Sequence, residues 1–204
     1  MDFNAIIKRV INIITKTNDE WDAIQSESLT IKDLYFNFAI ILYAIPSASL
    51  LIGMILQGAP ITMSLVMAIF LYAFTIGLLY LIGLLIDVIG PQFGGTKDMI
   101  SSQKLAVFSL VPYAVISILF ILPFGFGGFG FGGGFFYIVL LVSLFSFYLM
   151  YLGAPKLKNI SQQDKIIPFI IIMAIIWLIL IYIDFRLSAE IAVRAFIGSI
   201  RAGF

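Results

Sequence analysis

The chain has 204 residues, of which 62% are hydrophobic and 11% are charged, and its net charge is +1. Soluble globular domains carry about 25% charged residues, so this composition excludes an ordinary soluble fold and predicts an integral membrane protein. The chain contains no Cys and no His, which excludes disulfides, thiol nucleophiles and most transition-metal sites. Together with the near-neutral charge, this predicts no metal, no cofactor and no nucleic acid partner.

Residues 1–33 are predicted to form a cytoplasmic N-terminal segment that begins with an amphipathic helix. Apolar side chains recur along one stripe of residues 3–14, and polar side chains recur on the opposite side. A helix of this length is too short to span a bilayer. Two placements remain open: the helix lies on the cytoplasmic leaflet with Lys8, Arg9 and Lys16 near anionic headgroups, or it packs under the bundle.

Five apolar runs are long enough to cross a membrane, which takes roughly 20 residues per helix. Lipid offers the backbone no hydrogen-bonding partner, so each run is predicted to be a helix. The fold class is therefore an all-α integral membrane protein, with a five-transmembrane-helix bundle in residues 34–186 and a short helical tail at 187–204. The predicted spans are 34–56, 63–89, 104–123, 135–154 and 166–185.

Two features inside the spans predict how the helices bend and pack. Pro46 and Pro112 lie within the first and third spans, where proline is expected to kink the helix. Small residues in the first span are spaced for close helix contact, within the bundle or between protomers; they are Ala44, Ala48, Ser49 and Gly53.

Orientation follows from the distribution of Lys and Arg, because cytoplasmic loops are enriched in both. Nine flank one side of the predicted spans: Lys8, Arg9, Lys16, Lys32, Lys97, Lys104, Lys156, Lys158 and Lys165. The tail contributes three to the other side, namely Arg186, Arg194 and Arg201. This predicts a cytoplasmic N-terminus and a non-cytoplasmic C-terminus.

The loop after the second span is the candidate functional site. It reads GPQFGGTK at residues 90–97 and follows an acidic residue at the end of the span. A phosphate-binding loop requires Lys before Ser or Thr, which this segment lacks, so nucleotide binding is rejected. Asp87 is interfacial, or it caps the loop, or it pairs with Lys97 or Lys104. The candidate residues are Asp87, Pro91, Phe93, Gly94, Gly95, Thr96 and Lys97.

Four segments in a fixed order resemble the motifs of the Yip-domain family, the Ypt/Rab-interacting membrane proteins, and in particular its prokaryotic branch. Trp21 to Glu27 resembles W-x-x-I-x-x-E, and residues 91–97 resemble P-x-F-G-G-T-K. Ser109 to Pro112 resembles S-x-x-P, and residues 151–157 are similar to Y-x-G-L-P-x-L. The motif residues predicted to be structural are Trp21, Glu27, Pro112, Tyr151, Gly153 and Pro155.

The resemblance implies a five-span fold with a cytoplasmic N-terminus and no settled chemistry. It predicts a non-enzymatic scaffold, adaptor or membrane-organising protein in the plasma or inner membrane of a prokaryote. Its partners would be the lipid bilayer, other membrane proteins or a second copy of the chain. The predicted contact surface is the cytoplasmic face, residues 15–33, 91–104 and 155–165. The alternative is a small transporter, channel or lipid-handling protein with a cavity near Asp87.

Overall fold

The computed structural model describes residues 3–122 and 134–202, and within these ranges the chain is helical with no strand. A π-helical turn at Tyr35–Ala39 and 3₁₀ turns at Gly90–Phe93 and Ser117–Ile121 lie between α-helices. The α-helices of the described ranges are α1 (Phe3–Thr15), α2 (Thr17–Ser26), α3 (Ile31–Leu34), α4 (Ile40–Leu42), α5 (Ala44–Leu56), α6 (Ile61–Ile89), α7 (Met99–Ser109), α8 (Val111–Ile116), α9 (Gly134–Lys158) and α10 (Gln163–Ala202).

Four helical stretches of the described residues are long and apolar enough to cross a membrane: Ile31–Leu56, Ile61–Phe93, Met99–Ile121 and Gln163–Ile191. They correspond to the first, second, third and fifth predicted spans. The fourth predicted span lies within α9, a helix of 25 residues that is not among these four. The protein is therefore a multi-pass membrane protein with four candidate spans, and the fifth stays a prediction. The Gly- and Phe-rich stretch between the third and fourth predicted spans, residues 124–134, lies outside the described residues apart from its last residue.

The two intramembrane prolines each lie in the first turn of a new helix. The backbone leaves helical geometry at Tyr43, with ψ of 6°, and at Leu110, with ψ of 3°. Pro46 is then the third residue of α5 and Pro112 the second residue of α8. Proline fits the first turn of a helix, where its missing N–H has no intrahelical partner to lose.

Polar caps determine where two of the stretches begin. Thr30 Oγ1 accepts a hydrogen bond from the Asp33 backbone N–H at 3.1 Å, and the Thr30 N–H donates to the Asp33 carboxylate at 3.2 Å. This capping box starts α3. The Asp98 side chain caps α7 by accepting from the Ile100 N–H at 3.2 Å. The third stretch consequently begins at Met99, five residues before the predicted start at residue 104.

The last predicted span and the predicted helical tail form one continuous helix. α10 has 40 residues and is about 60 Å long at a rise of 1.5 Å per residue. Asp184 and Arg186, at the end of the fifth predicted span, are followed by further turns of the same helix. The helix begins at Gln163, three residues before the predicted start at residue 166.

The N-terminal helices belong to the same core as the membrane stretches. Ile13, Trp21 and Ile24 are fully buried, and they join one apolar cluster with Phe108 of α7 and Phe169 of α10. Of the two placements open for α1, packing against the bundle is therefore observed for one of its faces. The described part of the predicted N-terminal segment, residues 3–33, thus packs against the membrane stretches.

Gly53 provides a test of the packing between α5 and the turn after α8. A Cβ at Gly53 would collide with the backbone carbonyl of Phe120, whereas a Cβ at Gly77 would have nothing within 4 Å. We expect Gly53→Ala to lower the free energy of unfolding by about 1–3 kcal/mol, since a backbone must shift. Gly77→Ala, the matched control, is expected to leave it unchanged or raise it by up to about 1 kcal/mol. Thermal unfolding in detergent measures both, and equal midpoints for the two variants would contradict the packing described here.

Candidate functional site

The three segments predicted as the contact surface come together at one end of the bundle. α2 packs against α9, and the loop after α6 packs against the start of α10. Phe93 in this loop contacts Phe169, with ring centroids 6.1 Å apart. We call this assembly of residues 15–33, 91–104 and 155–165 the cap.

A buried lysine lies at the junction of α6, α7 and α9. The Lys158 side chain is 0% exposed, and its ammonium donates to Asp87 Oδ1 at 3.2 Å and to Ser102 Oγ at 2.7 Å. The Asp98 carbonyl oxygen accepts a third bond from it at 3.2 Å. Ser102 Oγ also lies 3.0 Å from Asp87 Oδ1. We call Lys158, Asp87 and Ser102 the Lys158 cluster. Together with the Asp98 carbonyl, it satisfies the three donors of the ammonium, as a buried charge requires.

Of the three possibilities left open for Asp87, the pairing with Lys97 or Lys104 is not the one observed. Asp87 contacts Lys158, and neither Lys97 nor Lys104 is its partner. The physical reason is the end of α9, which extends to Lys158 and places that ammonium over the last turn of α6. Lys97, in contrast, is exposed.

The glycines of the loop let the backbone pass close to this cluster. Gly94 has φ of +80°, a conformation that other residues rarely adopt, and the Gly95 N–H returns to the Gly90 carbonyl at 3.0 Å. A Cβ at Gly95 would lie 2.9 Å from that carbonyl oxygen. The Thr96 N–H then donates to the Lys158 carbonyl at 2.8 Å. The loop is thus hydrogen-bonded to the same residue whose ammonium lies beneath it.

A second buried cation lies where α1, α2 and α7 meet. Arg9 Nε lies 3.3 Å from Glu20 Oε1, and its two terminal nitrogens contact both carboxylate oxygens of Glu27, one of them at 2.9 Å. The guanidinium also lies over the Phe108 ring, 5.4 Å from its centroid. We call Arg9, Glu20 and Glu27 the Arg9 cluster. Of the two placements left open for α1, the one with Arg9 near lipid headgroups does not hold for this residue, because Arg9 is buried between these carboxylates.

Lys104 fixes the end of α2. Its ammonium donates to the carbonyl oxygens of Ile24 at 2.8 Å and Glu27 at 2.6 Å. The last carbonyls of a helix lack intrahelical partners and carry partial negative charge, so a cation is favourable there. Lys104 thus attaches α2 to α7.

The remaining motif residues join α2 to α9. The Trp21 ring is fully buried, and a Cβ at Gly153 would lie 2.7 Å from it. Trp21 also meets Phe108 edge-on, with centroids 6.5 Å apart. At the rim, Lys156 Nζ lies 2.6 Å from Asp22 Oδ1. Glycine at position 153 is therefore required by the close approach of the tryptophan.

The structure divides the predicted site residues into two groups. Packing or hydrogen bonding within the cap accounts for Asp87, Phe93, Gly94, Gly95, Thr96, Trp21, Glu27 and Gly153. Pro91 and Lys97 are exposed on the cap, and Tyr151 is exposed on α9. Pro112 is buried in α8 and Pro155 lies near the end of α9, where each has a helical rather than a site role. Within the described ranges, no group of three acidic side chains converges that could hold a metal ion.

The central residues of both buried clusters were not predicted as site residues. Lys158 was predicted only as a charge that sets orientation, Arg9 as such a charge and as a possible headgroup contact, and Ser102 was not singled out. The available signal was their position: a lysine one turn beyond the predicted end of the fourth span at residue 154, and an arginine beside the apolar stripe of α1.

The Lys158 cluster provides a stability test. Lys158→Met removes the ammonium and leaves the Asp87 carboxylate buried without its cation, so we expect the free energy of unfolding to fall by about 3–5 kcal/mol. Lys97→Met, on the exposed side of the same loop, is expected to change it by less than about 0.5 kcal/mol. Denaturant unfolding in detergent compares the two. A double variant, Lys158→Met with Asp87→Asn, should recover part of the loss, and a double variant as unstable as the single one would argue against this pairing.

Comparison with known protein families matches residues 11–183 to the Yip1 domain. No curated protein and no solved structure matches the chain. The matched range begins within α1 and ends within α10, so it contains the Lys158 cluster and all three segments of the cap. Of the Arg9 cluster it contains Glu20 and Glu27 but not Arg9. The chain belongs to the Yip1 domain family.

Proposed function

We propose that the protein is a non-enzymatic, multi-spanning membrane scaffold whose cap binds a partner protein. The observation that carries the proposal is the cap itself. Three segments far apart in sequence form one continuous surface at the end of the bundle, and buried charges hold them in place. A surface fixed in this way is prepared for binding without reorganisation, which favours affinity.

The chemistry of the cap supports binding rather than catalysis. The ionisable side chains in its interior have partners within the protein: Asp87 with Lys158, and Arg9 with Glu20 and Glu27. A general acid, base or nucleophile must reach a substrate, whereas these groups are paired with opposite charges and, apart from the half-buried Glu27, are buried. The Yip1 domain family is not known for an enzymatic activity.

The outer surface of the cap offers side chains that packing does not use. Gln92 and Lys97 are exposed on the loop after α6. Lys165 is exposed at the start of α10, and its Nζ would lie 3.5 Å from a Cβ at Gly94. Lys97 and Lys165 thus extend from neighbouring segments of one surface. These three residues are the contact positions that we propose.

The membrane placement proposed here has five spans and a cytoplasmic cap in the plasma or inner membrane of a prokaryote. α9 would be the fifth span, since its 25 residues extend about 38 Å at 1.5 Å per residue, longer than a hydrocarbon core of ~30 Å. Its most exposed large side chains include Leu141 and Leu144, as expected for a helix that faces lipid. The excess of Lys and Arg around the cap supports its cytoplasmic location.

The alternative function, a transporter, channel or lipid-handling protein, requires a cavity near Asp87. The Asp87 carboxylate instead faces Lys158 and Ser102. A cavity deeper in the bundle is lined by apolar side chains and Ser146, and Asp87 does not line it. We therefore prefer partner binding at the cap.

Site-specific photocrosslinking tests the scaffold proposal. A photoreactive amino acid replaces Gln92 or Lys97 in the full chain, which is expressed in the organism that encodes it. Ile61, exposed at the other end of α6, is the control position. We expect the same single protein adduct from positions 92 and 97 and none from 61. An added Lys165→Glu substitution should lower the yield of this adduct several-fold, because it reverses a charge of the proposed surface.

An adduct at twice the mass of the chain would identify a second copy as the partner. No adduct, or equal adducts at all three positions, would exclude the cap as a docking surface.

A pair of terminal reporters tests the topology. A fusion before Met1 is expected to read as cytoplasmic, and a fusion after Phe204 as non-cytoplasmic, since an odd number of spans places the termini on opposite sides. Alkaline phosphatase and a fluorescent protein, active on opposite sides of a bacterial membrane, measure both ends. Two cytoplasmic termini would contradict the five-span arrangement and would indicate that α9 does not cross the membrane.

A further inference from the structure

α1 presents three distinct faces around its circumference. Ile6, Arg9 and Ile13 are buried against the rest of the protein. A second face carries three large apolar side chains at spacings of four residues, which are 64%, 43% and 53% exposed: Phe3, Ile7 and Ile11. The third face is polar and exposed, with Lys8 and Thr15. Packing against the bundle thus accounts for only part of the apolar surface of this helix.

The Arg9 cluster fixes α1 at a defined depth. Arg9 connects α1 to α2 through Glu20 and Glu27, and its guanidinium lies over Phe108. α1 also contacts α8. Phe108 and α8 both lie inside Met99–Ile121, one of the stretches that is long and apolar enough to cross a membrane. α1 therefore lies alongside this stretch and not beyond its end.

The position of the faces identifies what covers the exposed apolar one. A helix beside a membrane stretch, with an apolar face next to its buried face and a polar face opposite, has the pattern of an interfacial helix. Lys8 and Lys16 are exposed, and cations at this level are attracted to anionic headgroups. We propose that α1 inserts Phe3, Ile7 and Ile11 among the acyl chains of the adjacent leaflet, with Lys8 and Lys16 at its headgroups. This lipid-binding surface is separate from the cap surface proposed for a protein partner.

Spin-label accessibility tests the proposal, because the chain has no Cys and single labels need no background substitutions. Nitroxides are attached to Ile7→Cys and Ile11→Cys, with Ala5→Cys as the control, since Ala5 is exposed on the side of α1 away from Ile7. The full chain is reconstituted in vesicles of phosphatidylethanolamine and phosphatidylglycerol. Collisions with oxygen, which concentrates in lipid, are compared with collisions with a water-soluble nickel chelate.

We expect the ratio of oxygen to nickel collisions at positions 7 and 11 to exceed that at position 5 several-fold. Equal ratios at all three positions would place the face in water and overturn the proposal. Low collision rates with both reagents at 7 and 11, together with an immobilised spectrum, would indicate a covering protein or second copy and would also overturn it. None of these outcomes depends on whether the cap binds a partner, so failure here is distinguishable from failure of the scaffold proposal.

Discussion

The buried ammonium of Lys158 is the constraint on which the end of this bundle depends. A lysine that is 0% exposed is tolerated only where each of its donors has a partner, and the partners come from Asp87 of α6 and Ser102 of α7 together with the Asp98 carbonyl. Three helices must therefore end or begin at matching heights. The loop between α6 and α7 must also turn within a few residues to bring Asp98 there. The left-handed turn at Gly94 and the close contact of Gly95 follow from that requirement.

The same principle recurs on the other side of the cap, where cations connect the N-terminal helices to the membrane stretches. Arg9 is held by two carboxylates, and Lys104 by the carbonyls at the end of α2. Between helices in lipid, apolar packing gains little from the hydrophobic effect, because lipid tails are as apolar as the side chains. Charged and hydrogen-bonded contacts have directional requirements that apolar packing lacks. They can therefore specify one arrangement of helices that apolar surfaces alone would leave open.

The sequence was sufficient for the features that are local. Apolar runs located the membrane stretches, and Pro46 and Pro112 indicated where two of them are interrupted. It was insufficient for contacts between distant positions: Lys158 and Asp87 are 71 residues apart, and periodicity within one helix does not identify which helix lies beside it. The partners of Arg9 could not be identified for the same reason, since they belong to another helix. The fifth span was predicted to end at residue 185, because the charged residues that follow are typical of a membrane boundary. These residues instead continue the same helix to Ala202.

The GPQFGGTK segment at residues 90–97 contains two kinds of residue: some are required by packing, and others are exposed. Gly94 and Gly95 are explained by the route of the backbone over the Lys158 cluster, so their identity would be required whatever the cap binds. Thr96 contributes a backbone N–H, which any residue except proline can donate. Lys97 adjoins them but is exposed, and no packing requirement fixes it. Motif residues that build the surface and residues that contact a partner are therefore different residues, although they are neighbours in sequence. A partner-specific role should be sought where the fold imposes no demand, on the side of the loop that faces away from Lys158.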